Sequence, residues 1–180
     1  QTVLFRSRVK GELDIENISF SYKKGIQVLH NISLHVDPGE TIAVVGQSGG
    51  GKSTLCKLIP RFYDVDEGKI LLDHVDIRSV TQESLHKNIG VVEQEIFLFA
   101  DSILENIRYG RPDATPKEVA LAAKQAEIYD DIIAMSDGFN TFVGERGAML
   151  SGGQKQRISI ARIFLKNPPF QIGRASCRER

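Results

Sequence analysis

The chain has 180 residues, 41% of them hydrophobic, and a formal net charge of zero. That length supports a real hydrophobic core, and the balanced charge excludes a global field drawing the chain to nucleic acid or anionic lipid. No apolar run approaches the ~20 residues of a membrane-spanning helix, and two cysteines, Cys56 and Cys177, make neither a disulfide framework nor a metal quartet.

Residues 1–11 read as a linker entering the domain, with no signal-peptide core. "LDIENISFSY" follows, with Leu13, Ile15, Ile18, Phe20 and Tyr22 in the alternation of a half-buried strand. "VLHNISLHV" repeats that pattern and stops at the turn "DPGE". "TIAVV", Thr41 to Val45, is a short continuous apolar run and predicts a strand buried on both faces. After a glycine-rich stretch, "STLCKLIPRFY" sets Leu55, Leu58, Ile59 and Phe62 at helical spacing, with Pro60 near the end. "GKILLD" is another strand, and "IGVVEQ" (Ile89 to Gln94) is a buried strand running into a polar loop.

The middle changes character. Asp101 to Met135 is expected to be mostly helical. Thr115 to Glu118 forms a capping box with proline at the first helical position, and Val119, Ala122, Ala123, Ala126 and Ile133 are candidates for the buried face. "SGGQKQRISIARIFLKN" is a last helix closed by Asn167 and Pro168. These elements predict an α/β domain carrying an inserted α-helical subdomain.

Two loops carry chemistry. "GQSGGGKST", from Gly46 to Thr54, fits the pattern G-x-x-x-x-G-K-[ST] between a strand and an amphipathic helix. Small residues let successive backbone amides curl around phosphate oxygens. The following helix aims its N-terminus at the same anion. Lys52 is placed to reach the β/γ-phosphates, Ser53 to ligate Mg²⁺, and Thr54 to hold an α-phosphate oxygen, so Gly46, Gln47, Ser48, Gly49, Gly50, Gly51, Lys52, Ser53 and Thr54 are the candidate site. The second loop, "LSGGQKQR", puts Ser151 where an N-cap belongs and exposes the amides of Gly152 and Gly153. It is a second anion-binding helix terminus without a lysine of its own. One nucleotide cannot obviously use both loops of one chain, whereas a partner chain's nucleotide could.

"LSGGQ" downstream of a phosphate loop is the signature of the ATP-binding cassette (ABC) ATPases, and residues 12–169 resemble the nucleotide-binding domain of an ABC exporter. The resemblance implies an α/β fold: a P-loop NTPase core with an N-terminal antiparallel β-subdomain and an inserted α-helical subdomain, about residues 95–157. It implies ATP and Mg²⁺ as cofactors. It also implies head-to-tail pairing with a second ABC ATP-binding domain, where Ser151, Gly152, Gly153 and Gln154 of one copy close on the nucleotide held by Lys52 of the other. Tyr22 matches the residue that stacks on adenine, and Gln94 the glutamine that contacts Mg²⁺ and the attacking water and links the catalytic core to the helical subdomain. Glu145 and Arg146, in "TFVGERG", match the contacts to the coupling helices of a transmembrane domain. The implied location is the cytoplasmic face of a membrane, and the alternative is a soluble ABC ATPase acting on chromosomes or ribosomes.

Other residues are expected to carry less. Cys56 reads as core filler, and His30, His35, His74 and His86 are scattered without ligand spacing. His74 stands where the family often has glycine, and histidine tolerates positive φ better than most residues. Lys155, Arg157, Arg162 and Lys166 read as a solvated helix face rather than a nucleic-acid patch. After "KNPP" the family continues into an apolar strand ending in Asp-Glu; here the chain reads "QIGRASCRER", whose one acid, Glu179, is expected to have no strand before it. Back-translated in one frame, residues 171–180 resemble a sequencing-library adapter, so they are expected to be a non-native tail on an incomplete domain. The chain as it stands is therefore expected to bind Mg·ATP weakly, to turn over negligibly and to be poorly soluble.

Overall fold

The structure is a computed structural model and describes residues 4–5, 9–23, 25–92 and 96–173. The chain divides into two units, residues 1–89 and 90–180.

The first unit is built on a four-stranded sheet of order β2-β1-β3-β4. Its strands are β1 (Leu13–Lys23), β2 (Ile26–Val36), β3 (Glu67–Leu72) and β4 (Val75–Asp76), and every neighbouring pair is antiparallel. The apolar positions of β1 change parity midway, from Leu13 and Ile15 to Ile18 and Phe20, all buried. A strict two-residue period would send one of those sets to solvent. The backbone resolves this with register irregularities between Ile15 and Ile18, where Asn17 takes φ +46°, and Asn31 on β2 takes φ +47°. Asparagine enters this region at lower cost than most residues. Both are tied by side chains: Asn17 N–H donates to Ser33 Oγ at 3.0 Å, and Asn31 N–H to Ser19 Oγ at 3.3 Å. Fully burying a Leu, Ile or Phe stabilises by about 1.5–3 kcal/mol, so this pair of bulges keeps the two such contributions that strict alternation would lose. Asp73 and His74 turn β3 into β4 at φ +49° and +64°, the backbone expected of His74.

Two expectations fail in this unit. Thr41 to Val45 form no strand, and Ile42, Val44 and Val45 are exposed, Val45 by 86%. A strand buried on both faces needs a hydrogen-bonded neighbour, and among the described residues no ladder reaches this run. The helix after the phosphate loop, α1 (Lys52–Leu58), is shorter than its apolar spacing suggests. Its cap, Ile59, keeps helical backbone at φ −59° and ψ −47°, but Pro60 has no N–H to continue the ladder and Arg61 turns left-handed at φ +60°. Phe62, past the end, is 47% exposed. α2 (Gln82–Asn88) follows, capped by Thr81.

The second unit holds α3 (Ile103–Arg108), α4 (Pro116–Gln125), α5 (Tyr129–Ile133) and α6 (Gly152–Lys166). A two-stranded sheet pairs β5 (Ile89–Val92) with β6 (Phe170–Gly173). The strand β6 corrects the expectation of none there; Phe170 and Ile172 are half-buried and alternate with exposed Gln171 and Gly173. The helical core contains Val119, Ala122, Ala123 and Ala126 as expected, but Ile133 is 53% exposed and Ile132 takes the buried place. The helix ends at Gln125, and Ile128 caps a new one, so the α4 phase does not carry through to Ile133. The capping box at Thr115 and Glu118 is complete.

Arg162 overturns the reading of a solvated basic face. Its guanidinium donates to Asn106 O at 2.6 Å, Asn106 Oδ1 at 2.6 Å and Phe97 O at 2.7 Å. It also lies 5.7 Å from the ring centres of both Phe99 and Tyr109. Burial lowers its pKa to about 10. Asn106, fully buried, accepts from Phe99 N–H and donates to the carbonyls of Phe99 and Ser102. This network ties α6 to α3 through buried polar groups that would each cost about 1–3 kcal/mol unpaired.

Candidate functional site

The phosphate loop leads into α1 through Gly51, which takes φ +80°. A Cβ there would stand 2.5 Å from Leu29 Cδ2 and 3.3 Å from Val28 O, so both backbone and packing require glycine. Gly50 N–H donates to Gln47 O at 3.2 Å, which curls the loop. No side chain caps the start of α1 and no acid stands in its first turn. Lys52 Nζ folds back over the loop and donates to Gly46 O at 2.7 Å and Gln47 O at 2.6 Å. An ammonium has three donors, so one remains for an incoming oxygen. An uncapped helix start, glycines and a lysine together fit a polyphosphate, which meets amides and a cation and no carboxylate. Ser53 lies in the first turn of α1, the position whose hydroxyl can hold a Mg²⁺.

Thr54 is buried, and its Oγ1 accepts from Tyr22 Oη at 3.3 Å, so the hydroxyl expected to meet phosphate is engaged with the tyrosine expected to meet the base. Tyr22 is 46% exposed and packs edge-to-face on Phe20 and Tyr63, with ring centres 4.9 and 5.2 Å away. Edge contacts on two sides fix the ring. Cys56, in α1, has its thiol pKa pushed up by burial, which makes it a poor nucleophile.

In the second unit, Ser151 caps α6: its Oγ accepts from Gln154 N–H at 3.2 Å, and Gln154 Oε1 accepts from Ser151 N–H at 3.0 Å. Ser151, Gly152 and Gly153 are exposed. Among the described residues, nothing outside the adjoining helix backbone lies within 4 Å of a Cβ placed on Gly152, so their packing does not demand glycine there. Glu145 and Arg146 are exposed on a short 3-10 turn, with Arg146 at φ +51°. The preceding stretch is pinned by Ile103 N–H to Thr141 O at 3.0 Å and Val143 N–H to Asp101 O at 3.0 Å. Gln94 lies outside the described residues.

Sequence reasoning missed Asn106 and Arg162, which anchor the helix bearing the second loop. The signal available was a polar residue between Ile103 and Ile107 on an apolar face.

Residues 29–173 match the family model described as ABC transporter. The chain belongs to the ABC transporter family. This ABC chain is 54% identical over 166 residues to YgaD of Bacillus subtilis (strain 168), which bears the provisional name multidrug export ATP-binding/permease protein; the match covers 92% of the chain and 29% of YgaD. A Staphylococcus aureus (strain N315) protein with the same provisional description is 53% identical over 164 residues, covering 91% of the chain and 28% of that protein. Among solved structures, a bacterial Atm1-family ABC exporter with ATP bound is similar with TM-score 0.89 and 43% identity, covering 96% of this chain and 31% of that one. The ABC chain thus spans less than a third of the length of each of these relatives. Among the described residues, no helix is long and apolar enough to cross a membrane.

Proposed function

We propose that the chain is part of the ATP-binding and ATP-hydrolysing motor domain of an ABC exporter, at the cytoplasmic face of a membrane, powering efflux of a lipid, drug or peptide, and that the chain by itself binds ATP without turnover. The observation that carries this reading is the phosphate loop: glycine at φ +80° by steric need, an uncapped helix start, and a lysine held over the loop by two carbonyls. In this reading the amides of Gly46 to Gly51 bind the phosphates and Lys52 exchanges its carbonyl partners for phosphate oxygens. Ser53 and Gln94 hold Mg²⁺, which supplies positive charge to the triphosphate when bound. The face of Tyr22 packs on the adenine. The exposed Ser151, Gly152, Gly153 and Gln154 close on the nucleotide of a second copy, where open space at Gly152 leaves room for another molecule. Glu145 and Arg146 meet the coupling helices of a transmembrane domain. Residues 1–11 are the linker from that domain, about 95–157 the helical subdomain, and 171–180 a non-native tail. The export names of the relatives favour this reading over a soluble ABC ATPase.

The test is Lys52→Ala in the full-length protein. Losing a charge-assisted contact worth about 1.5–3 kcal/mol is expected to weaken binding of a fluorescent ATP analogue by roughly tenfold to a hundredfold and to abolish phosphate release. Unchanged affinity with intact turnover would overturn the proposal.

A further inference from the structure

Histidines scattered in sequence converge in the first unit. His35 on β2 is directly opposite Asp14 on β1 in the strand register, and its Nδ1 lies 2.5 Å from Asp14 Oδ1. His74, in the turn from β3 to β4, brings Nε2 to 3.4 Å from Glu12 Oε2 and Nδ1 to 3.9 Å from Asp14 Oδ2. Donor atoms of Glu12, Asp14 and His35 all lie within 4.8 Å of one another. Both carboxylates find histidine as their ion-pair partner, and among the described residues no Lys or Arg pairs with either.

We propose that Glu12, Asp14, His35 and His74 form a binding site for a divalent transition ion of the zinc class, outside the nucleotide site. Three features support it beyond proximity. The donors are set by the sheet: cross-strand pairing fixes Asp14 against His35. Asp73 accepts from the backbone N–H groups of Lys10, Gly11 and Glu12, and its own N–H donates to Glu12 O at 2.9 Å, which locks the segment carrying Glu12 to the turn carrying His74. The other nitrogen of His35, Nε2, lies 3.3 Å from Asp37 Oδ1. A metal-bound histidine commonly donates its second ring N–H to a carboxylate, which fixes the tautomer and the ring. Asp37 occupies that place and leaves Nδ1 facing Asp14.

Tetrahedral zinc holds nitrogen and oxygen ligands at about 2.0–2.2 Å, which sets them roughly 3.3–3.5 Å from each other. Among Glu12, Asp14 and His35, spacings of up to 4.8 Å need to close by up to about 1.4 Å and the 2.5 Å pair of His35 and Asp14 to open by about 0.9 Å, while His74 turns one of its two nitrogens to the ion. The side chains of His35 and His74 are 52% and 75% exposed and have room to turn. Two imidazoles with two carboxylates suit zinc, whereas Mg²⁺ prefers an all-oxygen octahedron. The site would clip β2, β1 and the β3–β4 turn together, and a ligand bound only by the folded state raises the melting temperature.

The test is calorimetric titration of the full chain with ZnCl₂, without nucleotide, alongside thermal melts with and without zinc. One zinc per chain is expected, with a raised melting temperature, and millimolar Mg²⁺ is not expected to displace it. His35→Ala and His74→Gly are each expected to weaken binding at least tenfold and to remove the thermal shift. His74→Gly keeps the fold, since glycine suits φ +64°. His86→Ala and Cys56→Ser are expected to bind as the parent does. Absence of zinc binding in the parent chain, or parent-like binding in His74→Gly, overturns the proposal.

Discussion

The two glycine-bearing helix starts solve one electrostatic problem in opposite ways. At α1 the entry is uncapped: Gly51 is left-handed, no side chain accepts from the first turn, and the lysine lies over the loop. At α6 the entry is capped reciprocally by Ser151 and Gln154, and the helix runs fifteen residues. An uncapped start leaves its amides to a ligand, while a capped start holds itself together and offers a hydroxyl and a dipole to whatever approaches. The first needs glycine for its own backbone. The second has glycine where its own packing makes no demand. One terminus is shaped from within, and the proposed reason for the other lies in a second molecule.

That contrast yields graded tests. Gly51→Ala attacks the inner requirement. Left-handed backbone costs a Cβ-bearing residue about 1–2 kcal/mol, and the overlap with Leu29 adds to it, so a loss of about 2–4 kcal/mol in urea unfolding is expected. A change below about 0.5 kcal/mol would show that the loop tolerates a side chain and would erase the distinction. Ser151→Ala removes the cap and is expected to cost about 1 kcal/mol in the same assay. Gly152→Ala separates the termini most sharply. Alanine favours helix by up to about 1 kcal/mol over glycine, so stability is expected to hold or rise slightly, while ATP turnover of the full-length protein falls. Loss of stability in Gly152→Ala would mean that the glycine serves the chain itself.

Much of the fold was legible because its signals are local. The capping box at Thr115 and the N-cap at Ser151 read directly from the sequence and both are formed, the second completed by Gln154 into a capping box of its own. The strands β1 and β2 followed from alternation, and their antiparallel pairing from the family resemblance. What escaped depended on residues far along the chain. The apolar run from Thr41 to Val45 looks like a buried strand, but burial comes from neighbours, and Val45 ends up exposed. Arg162 looks like one of several basic residues on a helix, yet its partners are 56 and 65 residues away. Ile133 kept the apolar period across a helix break that the period does not register. His35 and His74 meet only because antiparallel pairing folds distant positions together. Within the candidate site, the glycine pattern and Lys52 were plain in the sequence, but the engagement of Thr54 by Tyr22 was not, because it joins β1 to α1.

The most direct measurement is a disulfide trap between two copies. Ser48→Cys and Ser151→Cys would be combined in the full-length protein with its native cysteines changed to serine. With a non-hydrolysable ATP analogue, oxidation is expected to yield a covalent dimer, with much less formed when nucleotide is absent. A trap that never links two subunits, or that links them equally well without nucleotide, would contradict the shared site.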